Sequence, residues 1–228
     1  MIRRVLAICV IAAIALAMAA AVLARSGKLP NPFGPLDLAE KPGLLTEAKL
    51  FLMGNDTQAC IAALRRVGVA VQPMPPRSDK PGCDRVGTVT ISRFSKASID
   101  PEEMRCEIAL RLYLLERHDI QPLAQRHFGK SVDKLYDFGS YSCRNKRGGW
   151  TLSEHATANA YDLAGVRLTG GKVVTLKQGW RGDAAPAAFL HALRERACTL
   201  FSMVLSPDYN ADHADHLHLD MGLWQGCH

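Results

Sequence analysis

The chain has 228 residues and a net charge of +6, with 48% apolar and 22% charged residues. That composition excludes a disordered, collagen-like or polytopic membrane protein and allows one ordinary domain with extensions. Outside residues 1–24, 26 basic residues stand against 22 acidic ones, and so small an excess gives no reason to expect a nucleic-acid partner.

At the N-terminus, Arg3-Arg4 precede an uncharged apolar run, Val5 to Ala24. A run of this length spans about 30 Å as a helix, the hydrocarbon thickness of a bilayer. The basic flank predicts an N-in orientation with the remainder exported. Two readings stay open: an uncleaved anchor in the inner membrane, or a cleaved signal peptide. For the second, Ala19-Ala20-Ala21 or Val22-Leu23-Ala24 would supply the small residues at the cleavage site. Both expose the rest of the chain to an oxidising envelope space, with secretion following if the signal is cleaved. Cys9 lies in the apolar run, and Cys60, Cys83, Cys106, Cys143, Cys198 and Cys227 remain. An even number in an exported chain predicts three disulfides. Pairing of neighbours along the chain is the simplest connectivity. No CxxC pair occurs to suggest a zinc finger.

Residues 25–45 hold four prolines and three glycines and read as a linker, leaving 46–228 as the domain. A helix is expected from Asn55 to Val67, with Asn55 or Asp56 as N-cap and Gly68 just past its end. Val69-Ala70-Val71 and Val86–Phe94 read as strands. Ser98 to Glu103 reads as a helix start, with Asp100 as N-cap, Pro101 at the first position and acids in the first turn. Met104, Ile108, Leu112 and Leu115 would continue it to about His118. A short helix at Pro122–Phe128 stops at Gly129. Val132–Cys143 and Val173–Leu176 are strand regions. Asp183 caps a helix over Ala185–Cys198, and Leu200–Leu205 and His216–Met221 are the last strands. Helices mostly first and strands mostly later predict an α+β fold: a small antiparallel sheet with helices packed on one side. There is no internal repeat, Gly-rich phosphate loop or heptad array.

Two stretches carry chemistry: Ser153–Asp162 and His213–Asp220. On a strand, residues two apart share a face. His216, His218 and Asp220 would point one way, and Leu217 and Leu219 into a core. Three titratable groups on one face are costly if buried unpaired; a metal is one economical solution, and a solvent-facing polar edge with satisfied histidines is the other. His155 and Asp162 are seven apart, so the chain must turn between them, and Ala156-Thr157-Ala158-Asn159 is small enough. Together the stretches offer two imidazoles and one carboxylate, a ligand set of catalytic zinc with a fourth position left for water.

Ser153-x-His155-x(6)-Asp162 followed by His216-x-His218 resembles the zinc peptidases grouped as lysostaphin-type enzymes, D-Ala-D-Ala metallopeptidases and the hedgehog domain. The run His213-x-Asp215-His216-x-His218 is similar to that of penicillin-insensitive murein endopeptidases. The region from Cys60 to Cys227, with Tyr141-Ser142-Cys143-Arg144 and Leu152–Ala156, resembles the bacterial extensin-like C-terminal family. The resemblance implies a Zn²⁺ peptidase acting on peptidoglycan stem or cross-link peptides. It implies His155, Asp162 and His218 as ligands, His216 as proton carrier and His213 as an accessory histidine near the substrate. Arg144 or His213 would hold the oxyanion. Ser153 would support the site by hydrogen bonding, and Asp215 and Asp220 would orient ligand imidazoles. His118, His127, His191 and His228 are expected to stand outside the site. Related sequences carry glycine at the position of Ala158; if it needs a positive φ, alanine is strained there, and Asn159 is the alternative carrier. A module that keeps the fold without turnover is the second reading. A two-His-one-carboxylate iron oxygenase is a third, disfavoured by an oxidising envelope compartment.

Overall fold

The computed structural model describes residues 2–25, 34–43, 45–53 and 56–228. Asn55 and nine linker residues (26–33 and 44) lie outside the described residues. The chain divides into two units, Met1–Leu36 with Gly43–Leu52, and Asp37–Pro42 with Met53–His228. In the first, α1 covers Ile2–Arg25 and a second helix begins at Thr46 (α2, Thr46–Met53). Among the described residues no helix is long and apolar enough to cross a membrane, so the spanning anchor expected at the N-terminus is not carried by the structure.

The second unit opens with α3 (Thr57–Arg66), whose N-cap Asp56 accepts a hydrogen bond from the Ala59 backbone N–H. Gly68 follows at φ 81°, ending the helix as expected. Next come β1 (Gln72–Pro73), the hairpin β2 (Arg77–Ser78) and β3 (Asp84–Arg85), β4 (Thr88–Arg93) and β5 (Ser98–Arg105). Val69–Val71 is irregular and the short strand begins one residue later. After β5 run α4 (Cys106–Leu115), a π-helical turn Glu116–Ile120, α5 (Gln121–Phe128) and β6 (Val132–Asp137). Then follow β7 (Ala160–Leu168), β8 (Val173–Thr175), α6 (Leu176–Gly179), α7 (Ala184–Ala197), β9 (Met203–Leu205), β10 (Leu217–Asp220) and β11 (Gly226–Cys227). Nine of these strands form one sheet in the order β1-β4-β5-β6-β7-β10-β9-β11, with β8 also on β7. It is mostly antiparallel; β5–β6 and β9–β11 are parallel. The sheet is thus larger than expected, and helices interleave with strands instead of preceding them.

Two elements differ from the sequence reading. Ser98–Glu103 is strand, and the helix starts only at Cys106. The acids that favour a helix start are used sideways instead. Glu103 accepts from Thr88 and Arg85, Asp100 pairs with Lys134, and Glu102 accepts from the Ser140 N–H. Pro101, which lacks an N–H, is tolerated because β6 meets β5 only at Ser98↔Lys134. The longest strand, β7, had no local signature. It is buried on nearly every residue, so it does not alternate, and it contains Gly165. A Cβ at Gly165 would lie 2.6 Å from the Val174 carbonyl oxygen, so glycine there lets β8 approach.

The disulfides are Cys60–Cys106, Cys83–Cys143 and Cys198–Cys227. Only the last joins chain neighbours. Cys60 of α3 and Cys106 at the start of α4 meet because these helices pack together, whereas Cys83 ties the β2–β3 hairpin to the segment leading into the site. Three disulfides suit a compartment outside the cytoplasm, periplasmic or extracellular. Thiol labelling of denatured, unreduced full-length protein is expected to modify Cys9 alone. Labelling of two or more of the other six would refute the pairing, and loss of any one bridge should cost about 2–5 kcal/mol.

Candidate metal centre

Strands β7 and β10 are antiparallel with Asp162 directly opposite His218, an arrangement that brings side chains within about 5 Å on one face. Leu217 and Leu219, on the other face, are fully buried, as the strand period required. His155 arrives from a 3-10 turn, Glu154–Thr157, which Ser153 caps; its Oγ accepts from the His155 N–H. The turn ends at Ala158, φ 53° and ψ 29°. Ala158 is the one non-glycine residue with positive φ among those described, so it takes the left-handed position itself and Asn159 does not. The turn is held from outside by Arg105, whose N–H donates to the Ala158 carbonyl and whose Nε–H donates to the Thr157 carbonyl. Asn159 Nδ2–H donates to Glu154.

The three predicted ligands converge. His155 Nε2 lies 3.1 Å from Asp162 Oδ1 and 3.1 Å from His218 Nδ1, and His218 Nδ1 lies 2.9 Å from Asp162 Oδ1. All three residues are buried. Their remaining ring nitrogens are committed. His155 Nδ1 is 2.8 Å from the Ser140 carbonyl, which only accepts, so the proton sits on Nδ1. His218 Nε2–H donates to Asp220 Oδ2 at 2.9 Å. The neutral imidazoles therefore turn two lone pairs on each other and on a carboxylate oxygen. A cation at its centre, a metal ion or a proton on His218, would relieve that triangle. A tetrahedral zinc with bonds of 2.0–2.2 Å separates its ligand atoms by about 3.3–3.6 Å, a few tenths of an ångström more than the spacing present. The donors thus fit a metal ion, and no other group of this kind occurs among the described residues.

The electrostatics agree. Burial alone would raise the Asp162 carboxyl, yet contact with the His155 and His218 imidazoles holds it well below the usual carboxylate range. Burial opposes a charge on His218, but hydrogen bonds to Asp162 and Asp220 lift its pKa to about 9. The site favours positive charge.

His216 stands beside the triangle, its Nε2 3.6 Å from Asp162 Oδ1. Its Nδ1–H donates to Asp215 at 3.0 Å, leaving Nε2 as a free acceptor toward the site. Asp220 therefore orients a candidate ligand, as expected, while Asp215 orients the neighbouring base. His213 donates through Nδ1 to Asn210 and packs against the rings of His216 and His218. Burial, and then those two imidazoles, push it down to about 4. Arg144 is exposed on the cleft wall. Ser140 was not legible as a site residue because it acts through its carbonyl. His228, set aside on sequence, lines the cleft with its ring 5.3 Å from that of Tyr209. His118, His127 and His191 lie elsewhere; His118 and His191 contact backbone carbonyls and His127 packs on Phe189. The cluster opens into a cleft of about 460 Å³.

Residues 58–228 match the family described as extensin-like protein C-terminus, and the chain belongs to that family. Neither the curated proteins nor the solved structures compared with the chain gave a match.

Two outcomes are expected. His155→Ala, Asp162→Ala and His218→Ala should each abolish metal binding, and Asp220→Ala should weaken it about 10–100-fold by freeing the His218 ring. Elemental analysis and chelator competition measure this, and metal retained by all three ligand variants would refute the site. At Ala158, glycine relieves about 1–2 kcal/mol of backbone strain against about 0.8 kcal/mol for the buried methyl. Ala158→Gly should therefore hold or raise the urea midpoint. A β-branched side chain fits neither the backbone nor the space, so Ala158→Val should lower stability by about 2 kcal/mol or more.

Proposed function

We propose that this member of the extensin-like C-terminal family is an exported zinc peptidase that hydrolyses peptide bonds in peptidoglycan stem or cross-link peptides. The observation that carries the reading is the triangle of His155 Nε2, Asp162 Oδ1 and His218 Nδ1, with His216 Nε2 free beside it on an open cleft. Two imidazoles, a carboxylate and an adjacent base are the parts a hydrolytic metal centre requires.

His155, Asp162 and His218 would hold the ion. Zinc in such a site lowers the pKa of a coordinated water to about 7 and polarises a carbonyl. His216 Nε2 accepts the proton of the attacking water as its oxygen bonds to the carbonyl carbon. Asp215, hydrogen-bonded to His216 Nδ1, fixes the ring and stabilises the imidazolium. As the C–N bond breaks, His216 returns the proton to the leaving nitrogen, giving an amine and a carboxylic acid, whose remaining water proton passes to the amine to leave carboxylate and ammonium. Arg144, which lines the same cleft, would face the oxyanion. Ser153 keeps His155 in position; nothing activates it as a nucleophile.

Export fits the three disulfides and the N-terminal segment. Leu6, Ile8, Ile11 and Ile14 of α1 are each more than half exposed, an apolar surface suited to a signal helix. The test separates base from ligand. His216→Ala should keep one zinc per chain and the fold while losing turnover of purified muropeptides about 10²–10⁴-fold; mass spectrometry of products and elemental analysis read both. Full turnover in His216→Ala, or no cleavage by zinc-loaded native protein, would overturn the reading, the latter leaving a binding module.

A further inference from the structure

The cleft is not evenly charged. Its wall between Phe138 and Ser153 contains Arg144, Lys146 and Arg147 and no acidic residue, and all three line the cavity that holds His218 and Asp162. The segment is braced. Asn145 bridges Leu152, the Lys146 N–H donates to the Thr151 carbonyl, and the Gly149 N–H donates to the Lys146 carbonyl. Its base is fixed by Cys83–Cys143 and by Tyr141, whose hydroxyl donates to Asp79 and whose ring lies under Arg85. The cations are therefore presented on a fixed loop.

Their partners differ. Arg147 pairs with Asp212, on the other segment lining the cleft. Lys146 has no carboxylate partner among the described residues, and the Arg144 guanidinium reaches only the Asn145 carbonyl, at 3.5 Å. The chain's own Asp212 thus marks what this wall accepts, and Lys146 beside it is left without a counter-charge.

We propose that Lys146, beside the Arg147–Asp212 pair, is a specificity residue that receives a free carboxylate of the substrate. The proposal rests on the peptidase reading and narrows its substrate class to peptides with an anionic group close to the scissile bond. Closeness follows from size: a cavity of about 460 Å³ containing both Lys146 and the metal cluster holds only a few residues. A stem peptide can offer such a carboxylate at its C-terminus and on an internal acidic residue.

The probe is a synthetic stem pentapeptide in three forms: both carboxylates free, the C-terminal amide, and the internal amide. Binding is measured by calorimetry on zinc-loaded His216→Ala, and kcat and KM on zinc-loaded native protein. One amide should bind about tenfold more weakly than the free acid, the loss expected for a hydrogen bond to a charged group, with the change in KM. Which amide it is identifies the carboxylate. In Lys146→Gln the ratio between the two forms should fall to about one, and Lys146→Arg should restore it. Equal binding of all three forms, or a preference that survives Lys146→Gln, overturns the proposal. If native protein cleaves no form yet binding still follows Lys146, the subsite stands and the peptidase reading falls. If cleavage proceeds indifferent to amidation, the subsite falls alone.

Discussion

Everything at the site depends on one register, Asp162 of β7 opposite His218 of β10. The pairs on either side are Leu163↔Leu217 and Tyr161↔Leu219, all four fully buried. Because side chains alternate along a strand, a slip of one residue would expose these apolar groups and turn Asp162 and His218 into the core. Core packing and ligand geometry are therefore set by the same constraint. Burial of Leu217 and Leu219 by itself holds two of the three donors at contact distance. Only His155 must be delivered separately, and the left-handed turn at Ala158 does that within a few residues of Asp162.

The supporting contacts come from parts of the chain that are distant in sequence. Ser140, at the start of the disulfide-anchored wall, fixes the His155 ring through its carbonyl, and its hydroxyl donates to the Ala160 carbonyl of β7. Arg105, at the end of β5, ties down the 155–158 turn. Tyr161 is buried, and its hydroxyl donates to Asp137; burial, then the Asp137 carboxylate, raises the phenol well above its usual range, so it stays a neutral strut. A donor triangle needs this much bracing because a loose second layer would let the imidazoles rotate and relieve their mutual repulsion without a metal.

The parts legible in the sequence were those with a short-range cause. Asp56 and Gly68 bound α3 because capping is local, and Gly129 closes α5 for the same reason. The shared face of His216, His218 and Asp220 followed from strand periodicity, and the need for a turn between His155 and Asp162 from their odd spacing. What was illegible depended on partners. β7 is buried on nearly all residues because both faces of the sheet are covered there, and no window of its own sequence says so. The acids of Ser98–Glu103 look like a helix start until Arg85, Lys134 and Ser140 are placed beside them. The disulfide partners of Cys60 and Cys83 are decided by which elements pack together, a property of the whole fold. His228 enters the cleft only because its backbone pairs with Val204 and Ser206.

The site also sets a thermodynamic conflict that the fold must absorb. Buried lone pairs facing one another and a non-glycine residue in the left-handed region each oppose folding by an amount of order 1–3 kcal/mol. A bound metal ion or a proton on His218 relieves the first, and nothing relieves the second. The compensation lies outside the triangle. Cys60–Cys106 and Cys83–Cys143 close loops with sequence separations of 46 and 60, and cross-links of that span destabilise the unfolded chain by about 4 kcal/mol each in the chain-entropy account. The second of them also holds the wall that positions Ser140. Stabilisation is thus greatest where the ligand geometry is most strained. Reduction of Cys83–Cys143 would act on the centre twice, by weakening the domain and by loosening the carbonyl that fixes His155.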